Sequence, residues 1–126
     1  MSESPVPLDL QDFILRHIDS IAQIEALLLL RRHEEEVWDV TSTARRLYIS
    51  EQSTEEILAN LCNDGLLACG DGIYRYAARS PEIEQMVARL AETYKSNLIA
   101  VTNIIHSKPR RIREFANAFK LRKDRG

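Results

Sequence analysis

The stretch that decides the fold is Thr43-Ala44-Arg45-Arg46-Leu47-Tyr48-Ile49-Ser50, continued by Glu51-Gln52-Ser53-Thr54-Glu55-Glu56-Ile57-Leu58 and closed by Gly65-Leu66-Leu67. Ala44 and Leu47, three apart, give the first piece one inward helical face. Residues 50–64 form a second helix with Ile57, Leu58, Leu61 and Cys62 on its inward stripe. Its start is set by Ser50, or by Ser53 through a box with Glu56. Gly65 ends it, because a left-handed residue after a helix strains any Cβ. Residues 66–69 and 73–77 are then two short strands, and Gly70-Asp71-Gly72 between them is a hairpin turn.

Working outward, residues 1–7 read as a frayed leader without the basic and apolar regions of a signal peptide. Residues 8–17 form a short helix with Phe13, Ile14 and Ile18 inward. Ser20 and Gln23 fit a capping box that opens a helix over 21–30, apolar on nearly every side and so the central core helix. Arg31-Arg32-His33 suit the negative end of that helix, and Glu34-Glu35-Glu36 is a solvated loop. Residues 37–40 read as a short strand, with Thr41 or Ser42 capping the helix that follows. Ser80-Pro81-Glu82 is a helix start, and apolar residues at 83, 87, 90, 94, 98, 101 and 105 sustain one long helix over 81–106, ended at Lys108-Pro109. Residues 110–123 form a basic helix with Ile112, Phe115, Ala116 and Phe119 on one side.

These 126 residues make one domain, mostly α with a small β-hairpin. Its parts are N-terminal helices over 8–33, a helix-turn-helix with hairpin over 38–77, the long helix over 81–106 and the basic helix over 110–123. Over 43–76 the chain resembles the winged-helix domains of bacterial transcription regulators, MarR-like ones among them. The likeness rests on Leu47-x-Ile49-Ser50, the interval to Gly65, and Leu66-Leu67. It departs at Tyr48, where the turn often has Gly. The resemblance implies a winged helix-turn-helix with extra N- and C-terminal helices, acting as a homodimer on double-stranded DNA; the want of a signal peptide or apolar span in the sequence separately predicts a cytoplasmic protein. The helix over 50–64 would enter the major groove and the hairpin would lie near phosphates. A fold hosts many activities, so function must come from the side chains.

Those side chains conflict with the resemblance. The expected reading helix carries Glu51, Glu55 and Glu56 and no Lys or Arg. Gln52, Ser53 and Asn60 can approach bases, but the acids meet phosphates with like charge. Arg45 and Arg46 on the preceding helix, Arg75 on the hairpin and Arg79 just after it are the candidate phosphate contacts. Residues 1–106 hold 9 Lys/Arg against 17 Asp/Glu, while 107–126 hold 8 against 2. Such asymmetry marks a partner. Arg110, Arg111 and Arg113, with Phe115 and Phe119, can dock on the acidic body, and nucleic acid or an anionic membrane are weaker alternatives. The rival reading is therefore a protein interaction module that presents Glu51, Glu55 and Glu56 to a basic partner, or its basic end to an acidic one. The long helix over 81–106 offers a homodimer seam, unless its stripe packs on the core of the same chain.

Other chemistry is thin. The longest wholly apolar run, Ala26 to Leu30, is far short of a membrane span. His33 beside three glutamates is a solvated loop rather than a metal site. Cys62 and Cys69 read as two small buried apolar residues, with a redox pair conceivable only if their Cα atoms fall within about 7 Å. Trp38 and Tyr74 read as packing. No catalytic constellation and no Gly-rich phosphate loop stands out, so the sequence predicts no enzyme, cofactor or metal.

Overall fold

The computed structural model describes residues 6–107. Helices α1 (Leu8–His17) and α2 (Ile21–Arg32) are followed by α3 (Val40–Leu47) and α4 (Glu51–Asn63). A hairpin of β1 (Leu67–Gly70) and β2 (Ile73–Tyr76) comes next, then α5 (Pro81–Ser96). A further helical segment, α6, runs over 98–107. Over the described residues the protein is thus mostly helical with a small antiparallel hairpin that follows α3, a short turn and α4, and that is called the wing below.

The core forms around α2, whose Ile24, Ala26, Leu27, Leu28, Leu29 and Leu30 are all buried. Leu10, Ile14 and Ile18 close it on one side, Leu58 and Leu61 of α4 on another, and Val87 and Leu90 of α5 on a third. Each such side chain contributes roughly 1.5–3 kcal/mol on leaving water. The cap of α2 differs in detail from the expected box. Ser20 Oγ accepts from the Gln23 amide, but the buried Gln23 side chain accepts from Asp19 N–H and donates to His17 C=O. Its amide therefore bridges α1 and α2 and leaves no polar group unsatisfied.

Three further boundaries depart from the sequence reading. The strand expected over 37–40 is a single bridge, in which Trp38 exchanges hydrogen bonds with Tyr74. Val40 already begins α3, because Asp39 and not Thr41 or Ser42 is its cap. Asp39 accepts from the Ser42 amide at 2.7 Å and Ser42 Oγ accepts from the Asp39 amide. These bonds from Ser42 hold the Asp39 carboxyl below its usual range. The long helix expected over 81–106 is broken at Asn97, whose backbone leaves helical geometry at φ −138° and ψ 55°. Most of the stripe survives the break: Val87, Leu90, Val101 and Ile105 are buried and Ile83 and Tyr94 pack partly against the same core, while Leu98, just past the break, is exposed.

The turn positions follow the expected chemistry. Ser50 caps α4 by accepting from the Ser53 amide. Gly65 sits at φ +78°, where its carbonyl accepts from Arg79 N–H. Asp71 and Gly72 both have positive φ and join Gly70 to its partner Ile73, a two-residue turn matched to strand twist. Ser80 caps α5 with Pro81 in the first turn. The basic helix expected over 110–123, with Arg110, Arg111, Arg113, Phe115 and Phe119, lies outside the described residues.

Candidate nucleic-acid and partner interface

Helix α4 buries Thr54, Leu58 and Leu61 and leaves the opposite side to solvent. Thr54, absent from the sequence-derived stripe, earns its place by donating its hydroxyl to the Ser50 carbonyl at 2.8 Å. At 100° per residue, the exposed arc holds Gln52, Glu56, Ala59, Asn60 and Asn63, with Ser53 and Glu55 at its two margins and Glu51 at the amino end. The three base-contact candidates, Gln52, Ser53 and Asn60, are therefore all on the solvent side of α4. So are Glu55 and Glu56. The face is acidic in three dimensions as it is in sequence.

The candidate phosphate contacts lie on neighbouring elements and are all exposed. Arg45 and Arg46 lie on the last turn of α3, and Arg75 lies on β2 opposite Ala68. Arg46 stands with its guanidinium 5.5 Å from the Trp38 ring centroid, a cation–π distance. Trp38 itself is buried and bonded to the wing through Tyr74. It thus ties α3 to β2, a role that the sequence reading reduced to packing. Arg79 lies along Gly65 at the junction of α4, wing and α5.

Arg45 lies near enough to Asp39 to help lower its carboxyl, but among the described residues none of Arg45, Arg46, Arg75 and Arg79 makes a salt bridge within 4.0 Å. Arginines elsewhere do: Arg16 with Asp12, Arg31 with Glu84 and Arg89 with Asp9. The last pair joins α1 to α5 by two hydrogen bonds and holds the Asp9 carboxyl below its usual range.

The turn between α3 and α4 adds a residue that the sequence reading noted only as a departure. Tyr48 takes a left-handed backbone, φ 59° and ψ 42°, and its side chain is 94% exposed. A non-glycine residue there costs about 1–2 kcal/mol, and so large an exposed ring recovers little of that by burial. Tyr48, Ile49, Arg45 and Glu51 line a groove of about 380 Å³ between the two helices.

A second cleft, of about 680 Å³, lies where the wing meets α5 and includes Arg31, Tyr76, Arg79, Ser80 and Glu84. Tyr76 donates its hydroxyl to Glu84, which also accepts from Arg31 at 3.0 Å. Burial and the Glu84 carboxylate together raise the Tyr76 phenol well above its ordinary range. This cluster docks α5 on the wing and was not legible as a unit in the sequence.

Cys62 and Cys69 are joined as a disulfide, with Cα atoms 6.3 Å apart. They are not the two buried apolar residues expected, because Cys69 is exposed on β1 and Cys62 only half-buried. Their separation of seven residues spans a helix end and a tight turn, which doubles the chain back and brings the sulfurs together.

The dimer seam expected over 81–106 has most of its stripe packed within its own chain. Leu98 and Ile99 remain exposed at 50% and 76%. Among the described residues, no group of three or more His, Cys, Asp or Glu is placed to hold a metal ion. No helix among them is long and apolar enough to cross a membrane. Comparison with the profiles of known protein families and with curated proteins returned no match.

Proposed function

We propose that the chain is a winged-helix regulator that binds duplex DNA, acting as a homodimer and holding the duplex chiefly through phosphates. One observation carries this reading. Four exposed arginines on α3, the wing and the wing's end, the elements next to α4, form no salt bridge within 4.0 Å among the described residues, Arg45 having only a longer-range attraction to Asp39. Arginine in that setting releases counterions from DNA and gives salt-sensitive affinity. Gln52, Ser53 and Asn60 supply the polar groups that can reach base edges. Glu55 and Glu56 weaken that approach, so sequence discrimination is modest and positioning dominates.

A second reading has its own support. The acidic arc of α4 fits a basic protein surface, and the module would then act without DNA. A gel-shift titration of salt against random duplex separates the two. DNA binding predicts a complex at low salt that is lost steeply as salt rises. It also predicts tighter binding for the double variant Glu55→Lys with Glu56→Lys. No complex at low salt removes the DNA reading and leaves the interaction module.

A further inference from the structure

We propose that Cys62 and Cys69 are a reversible dithiol–disulfide couple, an oxidation site that fastens the wing to the end of α4. The geometry on both sides supports reversibility. The Cα separation of 6.3 Å lies inside the range a disulfide spans. Backbone hydrogen bonds also draw the two cysteine-bearing segments together. Gly65 N–H donates to Cys62 C=O, Leu66 N–H to Leu61 C=O and Ala77 N–H to Leu66 C=O, while β1 pairs with β2. Reduced thiols therefore stay within reach of each other. Access comes from Cys69, which is exposed on β1, with Cys62 half-buried behind it.

The oxidant class is a hydroperoxide. The Cys69 thiolate attacks one peroxide oxygen, the O–O bond breaks, and a sulfenic acid and water form. The Cys62 thiolate then attacks that sulfur. The S–S bond forms, hydroxide departs and takes a proton as a second water, so two thiols lose two electrons and two protons to one hydrogen peroxide. Reduction runs by exchange: an external dithiol attacks the sulfur of Cys69, the more exposed residue of the two, releases Cys62 as a thiolate, and its second sulfur then releases Cys69.

What the bond changes is the outer wing. Residues 68–73 are all exposed, so little apolar packing holds them. Cys69 pairs with Tyr74, which bridges Trp38, which in turn faces Arg46. The disulfide thus anchors the strand that carries this row. The couple does not depend on DNA binding; only its consequence for the duplex rests on the function proposed above.

The test uses the full chain, either reduced with dithiothreitol or treated with hydrogen peroxide. Thiol titration, intact mass and amide hydrogen exchange are read on both forms. The expected result is two thiols after native reduction and none after peroxide, with the loss of two hydrogens. Amides of 68–74 should exchange about tenfold faster in the reduced form, while those of α2 stay unchanged. Cys69→Ser should match the reduced protein; if that variant does not fold, the reduced wild-type arm decides alone. Peroxide that leaves both thiols free or drives one to a sulfinic acid, reduction that needs denaturant, or equal wing exchange in both forms each overturns the proposal. Redox-dependent exchange in a protein that binds no duplex would leave the couple standing and remove the DNA reading.

Discussion

Replacing Gly65 by alanine tests the joint between α4 and the wing. The backbone there sits at φ +78°, where a Cβ costs about 1–2 kcal/mol. The added carbon would also lie 3.2 Å from Cβ, Cδ and Nε of Arg79. The end of that side chain can swing away, but its Cβ is held by the Arg79 N–H bond to Gly65 C=O at 2.9 Å. Together these give a loss of about 2 kcal/mol, or about 8 °C in Tm for a chain of this size. Urea unfolding should show a lower midpoint with an unchanged slope. Gly65→Asn should lose about half as much, since Asn tolerates the left-handed region. Gly70→Ala is the control: nothing lies within 4 Å of its new Cβ, and stability should stay within about 0.5 kcal/mol. A Gly65→Ala protein as stable as wild type, or an Asn variant worse than Ala, refutes the account of this joint.

Leu58→Ala removes a fully buried side chain from the α2–α4 contact and should cost about 2–5 kcal/mol by urea titration. Burial works to raise the Glu84 carboxyl, but hydrogen bonds from Tyr76 and Arg31 outweigh it and hold it below its ordinary value of 4.5. Its contribution is therefore present above pH 4.5 and lost as pH falls through the lower folded value. With 43% of that side chain exposed, screening limits the loss in Glu84→Gln to about 1 kcal/mol at neutral pH, and the gap from wild type should close as pH falls below 4.5. If DNA is bound as proposed, Arg75→Ala should lower the slope of log affinity against log salt by about 1 without changing sequence preference.

The elements that were legible in the sequence are those fixed by local chemistry. Gly65, Asp71-Gly72 and Ser80-Pro81 each demand one backbone geometry, and each adopts it. The apolar run of α2 announced a buried helix because Glu25 is the one polar residue between Ile24 and Leu30. Where several residues can play one part, the sequence left the outcome open. Asp39, Thr41 and Ser42 are all competent caps, and Asp39 prevails because Trp38 is pinned to Tyr74 and fixes where the strand conformation stops. The stripe from 83 to 105 carries no mark of the break at Asn97, since the buried positions keep a continuous face across it. For the candidate interface, exposure of Glu55, Glu56 and Gln52 followed from helical periodicity. The disulfide and the Arg31–Tyr76–Glu84 cluster depend on how the chain doubles back, and single-residue patterns do not encode that.

The mutual hydrogen bonds of Trp38 and Tyr74, 3.1 and 2.7 Å long, also bear on the order of assembly. They close a circuit that contains α3, α4 and the hairpin turn, and bringing its ends together costs about 3 kcal/mol of chain entropy. Helices within the circuit form faster than the circuit closes. Docking of the ribbon against the tryptophan should then fall late on the folding route. Truncating Trp38 would accordingly quicken unfolding far more than it slows refolding.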